Sequence, residues 1–188
     1  MDKMWFTADT HFGSERTLEL SMRPFSSVEE MDQTMIDNWN KKVGPNDYVY
    51  HLGDFGNYEV AKHLNGHINL LFGNYERNDV ISGKFTSSDI AHKFGFFTVH
   101  TTDVFALNLT FFTERIGDFW VQMVHEPSHR KVHSNQFCLF GHIHKLCMVR
   151  SYGLNVGVDC HHFSPIDVET IEFYQKAIEQ YYDAEVFQ

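Results

Sequence analysis

Short apolar runs that stop at a polar, chemistry-bearing residue recur along this chain. Met4 to Ala8 is rich in β formers and ends at Asp9, Tyr48 to Leu52 ends at Gly53-Asp54, and Ile68 to Phe72 ends at Gly73-Asn74. Each predicts a short strand that delivers its polar successor from its C-terminal end. Helical periodicity is clearest after Ser27-Val28-Glu29-Glu30, which has the spacing of a capping box. Val28, Met31, Met35, Trp39 and Val43 then recur every three or four residues until Gly44-Pro45 stops the pattern, predicting an amphipathic helix. Tyr58 to Leu64, closed by Asn65-Gly66, predicts a short helix, so the first half alternates strand and helix as in α/β folds.

Beyond residue 96 the texture changes. Phe96 to His100, Val104 to Phe112 and Phe119 to Val124 are β-rich with no helical pattern between them, which predicts a second, more antiparallel sheet. Phe137 to Phe140 leads into Gly141-His142-Ile143-His144, and Leu154 to Val158 predicts a late strand. Ser164-Pro165 opens an Ile166, Ile171, Tyr174, Ile178 pattern that predicts a terminal helix. No repeat, linker or low-complexity stretch interrupts the chain, so residues 1–188 are expected to form a single domain.

Composition narrows the function classes. With 43% hydrophobic residues and 18 Phe, neither disorder nor a fibrous fold is expected. The net charge is −10 and no face collects Lys and Arg, so a long nucleic acid lacks its usual electrostatic footprint and a nuclease is disfavoured. Cys138, Cys147 and Cys160 are odd in number and form no Cys-x-x-Cys, which argues against a disulfide framework and for a reducing compartment. The chain enters its first strand without a basic leader, and no apolar run approaches the ~20 residues that span a bilayer. A soluble, cytoplasmic protein without membrane contact is therefore expected; oligomeric state is not legible.

The polar residues after the strands form an ordered set: Asp9-Thr10-His11, Gly53-Asp54, Gly73-Asn74, Val124-His125-Glu126-Pro127 and Gly141-His142-Ile143-His144. Each motif alone is common; together they mix carboxylate, imidazole and amide donors in a way that suits divalent transition metals. The order resembles the calcineurin-like metallophosphoesterases, in particular their small phage-type and bacterial single-domain members. The likeness rests on Asp9-Thr10-His11-Phe12-Gly13, on Arg23-Pro24-Phe25 followed by Val28-Glu29-Glu30-Met31, and on Tyr50-His51-Leu52-Gly53-Asp54, and it runs from residue 4 to about 168.

The resemblance implies an α/β fold, a four-layer α-β-β-α sandwich of two mixed sheets flanked by helices, with two divalent metals at strand ends. It implies that Asp9, His11 and His144 hold one ion, that Asn74, His125 and His142 hold the other, and that Asp54 bridges them. A metal pair can lower the pKa of a shared water toward ~7, so that a bridging hydroxide serves as nucleophile and no protein nucleophile is needed. Manganese is the expected metal, with iron, zinc and nickel as alternatives, because such donor sets discriminate poorly. Histidine binds metal only as neutral imidazole, so activity is expected to fall in acid.

Two departures bear on specificity. Relatives that cleave phosphomonoesters read Gly-Asn-His, whereas this chain has Gly73-Asn74-Tyr75-Glu76. A tyrosine, with a reference pKa near 10, is a hydrogen-bond donor but not a cation at neutral pH, which tilts the expectation toward phosphodiesters. Ser14 stands where many phage-type relatives carry His. Asp54, Asn74 and Tyr75 are the expected catalytic positions, and Arg23 and Arg77 are candidate phosphate contacts. The expected substrate is a small soluble phosphate ester or nucleotide; a phosphomonoesterase, a nucleotide pyrophosphohydrolase and an inactive protein-binding scaffold are the alternatives. His51 reads as a packed strand residue and His161-His162 as a solvated loop, while Trp5 and Trp39 read as core.

Overall fold

The computed structural model describes residues 2–100, 112–132, 136–181, 183 and 185. In chain order the elements are β1 (Met4–Thr7), α1 (Glu15–Leu20), α2 (Val28–Lys42), β2 (Tyr48–His51), β3 (His67–Leu71), α3 (Asn74–Ile81), α4 (Ser87–Lys93) and β4 (Thr98–His100). They continue with β5 (Phe112–Ile116), β6 (Phe119–Met123), β7 (Phe137–Phe140), β8 (Val149–Arg150), β9 (Gly153–Asn155), β10 (Ile166–Asp167) and α5 (Val168–Tyr181). Apart from Phe112, the strand expected from Val104 lies outside the described residues.

Among the described residues two five-stranded mixed sheets result, in the orders β10-β1-β2-β3-β4 and β5-β6-β7-β9-β8. Strands β1 to β4 run parallel and β10 antiparallel to β1. In the second sheet β6, β7 and β9 are parallel, with β5 and β8 antiparallel at its edges. This corrects two expectations. The segment at Phe96 to His100 belongs to the first sheet, because α3 and α4 supply the crossover that a parallel strand requires, and the second sheet is mixed. Sequence periodicity missed these helices for a physical reason: α3 buries only Glu76 and α4 only Ile90, so neither displays an apolar stripe.

The helix at Val28 starts where expected, with Ser27 Oγ accepting the Glu30 N–H at 3.2 Å. The reciprocal bond differs from the capping-box expectation, since the Glu30 carboxylate takes the N–H of Ser26 at 2.7 Å. Tyr58–His63 is a 3-10 turn, and Ile166 sits in β10, so the terminal helix begins only at Val168.

Alternation along the strands assigns their two faces. Trp5, Val49 and Ile68 join one buried cluster with Met31, Met35 and Trp39 of α2. Phe6 and Leu71 join another with Val121, Met123, Leu139 and Leu154 of the second sheet. Register sets Thr7 beside His51 and His51 beside Leu70. The C-terminal ends of β1, β2 and β3 are thereby level, where parallel sheets present ligand sites. Among the described residues no helix is long and apolar enough to cross a membrane.

Candidate metal centre

The loops after these strands are tied to one another through backbone bonds. Asp9 N–H donates to Gly53 O at 3.0 Å, His11 N–H to Asp54 O at 3.0 Å, and Gly141 N–H to His125 O at 2.9 Å. Gly53, at φ +98°, approaches so closely that a Cβ would lie 2.4 Å from the Gly73 nitrogen, which excludes any side chain there. Eight described non-glycine residues have positive φ, and five of them are expected ligands: Asp9 at 57°, His11 at 49°, Asp54 at 58°, His142 at 71° and His144 at 48°. Such conformations cost energy for L residues and persist where surrounding structure imposes them, commonly at functional sites.

Two triads of donor groups emerge. Ligand atoms of Asp9, His11 and His144 lie within 4.8 Å of one another, and those of Asp54, His125 and His142 do likewise. Asp54 Oδ2 stands between the triads, 3.5 Å from His11 Nε2 and 3.4 Å from His125 Nε2. Asn74 places its amide nitrogen 3.2 Å from His142 Nδ1, so it adjoins the second triad. Asp9, His11, Asp54 and His125 are buried, while Asn74, His142 and His144 are half-buried at the mouth.

Both ring nitrogens of His11 and Nε2 of His125 are buried without a hydrogen-bond partner. Buried polar atoms are nearly always satisfied, so His11 Nε2 and His125 Nε2, both facing the Asp54 carboxylate without a hydrogen-bond partner, fit a cation that would complete them. The tautomers agree with that use. His125 Nδ1 donates to Leu52 O at 2.8 Å and His144 Nδ1 to Asp159 Oδ2 at 2.8 Å, leaving each Nε2 lone pair for a ligand.

Electrostatics follow from burial and proximity. Burial pushes the Asp9 carboxyl up to about 6, against the pull of His125, and takes His11 down to about 3, against the charge of Asp54. Burial alone would lower His125, but the adjoining Asp54 carboxylate outweighs it and carries the imidazole up to about 9. Burial likewise opposes ionisation of Asp54, yet His125, His11 and the Tyr75 N–H together hold that carboxyl below its ordinary value. His142 is lowered, by burial first and His125 second.

Several positioning residues were not foreseen. Glu76, fully buried, accepts the N–H groups of Gly73 at 2.8 Å, Asp54 at 2.9 Å and Phe55 at 2.8 Å, locking two ligand loops together. Its place at the third residue of α3 was the available signal. Asp159 receives His144 and both Nε and Nη2 of Arg23 at 2.9 and 2.8 Å. The expectation that Arg23 contacts phosphate is thereby corrected. Its side chain is fully buried, and the remaining donors serve the carbonyls of Thr10 at 2.8 Å and Asp9 at 2.6 Å, so it braces the first ligand loop from behind. Arg77 is half-buried beside the site, donating to Gly73 O, Asn74 Oδ1 and Glu126 Oε1.

His51 is packed, taking the Gly53 N–H on Nδ1 at 3.2 Å and donating from Nε2 to Thr10 Oγ1 at 2.9 Å. Burial lowers it to about 3, so it is a neutral strut. His161 departs from the solvated-loop expectation, being buried with Nε2 2.7 Å from Asn155 O.

A cavity of about 540 Å³ opens above the donors, with His11, Asp54, Asn74, His142 and His144 in its wall. Tyr75 also lines it, its ring edge-on to His11 with centroids 4.6 Å apart, while its backbone N–H donates to Asp54 Oδ1 at 2.9 Å.

No family model matches the sequence. An uncharacterized protein of Methanocaldococcus jannaschii is 39% identical over 85 residues, 41% of this chain and 48% of that protein. The gene 66 protein of Mycobacterium phage L5 is 34% identical over 85 residues, 40% of this chain and 41% of that protein. The chain thus spans about half, or less, of the curated relatives it matches. A crystal structure of a protein of unknown function from Aquifex aeolicus aligns with a TM-score of 0.65 over 92% of this chain and 99% of that one. At 18% identity the likeness is one of fold.

Proposed function

We propose that this chain is a dinuclear metal-dependent phosphodiesterase of the calcineurin-like type, acting on a small soluble phosphate ester or nucleotide. The observation that carries the reading is Asp54 Oδ2, set between unpartnered His11 Nε2 and His125 Nε2 at the junction of two donor triads. Asp9, His11 and His144 would hold one ion, Asn74, His125 and His142 the other, with Asp54 shared. When bound, two divalent cations supply hydroxide at neutral pH and neutralise charge on the phosphoryl group. The protein's part is to orient that chemistry: Glu76 fixes the loops carrying Asp54 and Asn74, and Asp159 fixes the His144 tautomer. Tyr75 brings an aromatic wall and a hydroxyl where a monoesterase would place a cation, which favours a singly charged diester over a dianionic monoester.

We read the architecture as the four-layer sandwich that the resemblance implies, supported by the buried cluster between the sheets and by α2 against the far face of the first. The three cysteines are free, which agrees with a reducing, cytoplasmic setting.

With manganese, the purified chain is expected to hydrolyse a bis-phenyl phosphodiester about tenfold faster, or more, than a phenyl phosphomonoester. Elemental analysis of the same sample is expected to give two ions per chain. A faster monoester would move the assignment to phosphomonoesterases, and retained metal without turnover of either would favour a binding scaffold.

Metal affinity carries a pH signature whose sign is fixed by the donors. Binding takes deprotonated groups and releases their protons, so affinity rises with pH. His125, raised to about 9, makes the apparent manganese affinity climb about tenfold per pH unit from pH 6 to 9, and Asp9, raised to about 6, steepens the loss below that range. Competition titrations with a chelator from pH 5.5 to 9 check this. A flat profile would exclude His125 as a ligand.

A further inference from the structure

Two features of the cavity remain unexplained by the donor triads. The first is charge. The chain carries a net −10, yet Asp54 is the sole carboxylate among the described residues lining this cavity, and the same wall carries Arg16 and Lys145. Arg16, on α1, has no ion-pair partner among the described residues, and Lys145 donates only to the Met22 carbonyl, at 3.3 Å. Cations left without carboxylates on an acidic protein raise the local potential where an anion would enter.

The second feature is apolar surface. Nine large hydrophobic side chains are exposed among the described residues, and three of them, Leu20 at 69%, Met22 at 74% and Leu146 at 86%, line this one cavity. They come from separate parts of the chain, the end of α1 with the residues just after it and the short 3-10 turn His144–Leu146, and line one cavity together with Tyr75 and the donors. Single exposed hydrophobics need no explanation, but their convergence with unpaired cations around one concave site describes a ligand with both characters.

We infer that the cleft selects phosphodiesters bearing an apolar ester arm, which lies against Leu20, Met22 and Leu146 while Arg16 and Lys145 attract the phosphate's negative charge. The inference rests on the phosphodiesterase reading for its catalytic meaning and deepens it by naming the substrate class. The arm is held by surface that makes no metal contact, so selection acts on the organic group independently of the chemistry at phosphorus. A small hydrophilic diester would reach the donors but leave the apolar rim in water.

Calorimetric binding of two probes whose P–C bonds hydrolysis does not cleave, diphenylphosphinate and dimethylphosphinate, to the full chain tests this with and without manganese. Diphenylphosphinate is expected to bind about tenfold more tightly, in line with the apolar area it removes from water. In the L20S/L146S double variant, whose changed side chains are largely exposed and so leave the fold intact, the ratio of the two affinities is expected to fall toward one. In R16Q both affinities are expected to weaken about threefold or more while the ratio is kept. Equal affinity of the probes for the unmodified chain, absence of binding by either, or a ratio unchanged in the double variant would overturn the inference. A chain that keeps the probe preference but turns over no diester with manganese would uphold the selectivity and overturn the phosphodiesterase reading instead.

Discussion

Replacing Asp54 by asparagine is expected to lower kcat/KM for a diester by about a thousandfold and to reduce bound metal below two ions per chain, with the fold retained. The two oxygens of Asp54 have different duties. Oδ1 accepts the Tyr75 N–H at 2.9 Å, and Oδ2 faces His11 and His125. An asparagine keeps its carbonyl on the Tyr75 N–H and must therefore turn its NH2 toward the two imidazoles. That group has no lone pair to offer a cation, so the shared position is lost while the shape is conserved. The substitution also removes the largest influence raising His125, whose pKa is expected to drop because burial is then opposed only by the smaller pulls of Asp9 and Glu76. Elemental analysis, diester kinetics and thermal unfolding of the same preparation check the three parts together. Two retained ions with activity within tenfold of the unmodified chain would remove Asp54 from the centre of the proposal.

The features legible in the sequence share one property: they are local. Strands β1, β2 and β3 announce themselves as apolar runs, and Asp9, Asp54 and Asn74 follow them at once, so their convergence required only that the strands be parallel neighbours. The helix at Val28 buries Met31, Met35 and Trp39 in a period that composition alone displays. What stayed hidden depends on contacts between distant residues. Arg23 lies close in sequence to the Asp9 loop, which suggested a phosphate contact, but Asp159, 136 residues away, claims its guanidinium. Asp159 directly follows the Leu154 to Val158 run, yet it gains its role only by meeting His144 and Arg23. Helices α3 and α4 were invisible because each fully buries a single side chain, and that of α3 is a carboxylate. Arg16 and Lys145 likewise became notable only when a cavity brought them to one wall.

The carboxylate of α3 leads to the second large effect. Glu76→Gln is expected to lower the melting temperature by about 4–8 °C, and Glu76→Ala by about 10 °C or more, for a chain of this size. Oε2 accepts the Gly73 and Asp54 N–H groups, and Oε1 accepts that of Phe55. A glutamine best keeps its oxygen on the first pair and sets its NH2 against the Phe55 N–H, donor facing donor, orphaning one buried group. Alanine orphans all three and opens a hole as well. Burial, and behind it the charge of Asp54, push the Glu76 pKa up. The three donors nevertheless favour the ionised form, since N–H groups bind a carboxylate more strongly than its neutral acid and Oε2, already taking two of them, has no site left for a proton. Glutamine tests that assignment directly, because it mimics the protonated acid: a Glu76→Gln chain as stable as the original would mean that Glu76 carries a proton in the folded protein. With an ionised Glu76, both variants also loosen the loops bearing Asp54 and Asn74, and manganese affinity is expected to fall about 10–100-fold. Loss of metal affinity without loss of melting temperature would point to an electrostatic role for Glu76; loss of both together identifies it as the fastener that holds the two donor loops in register.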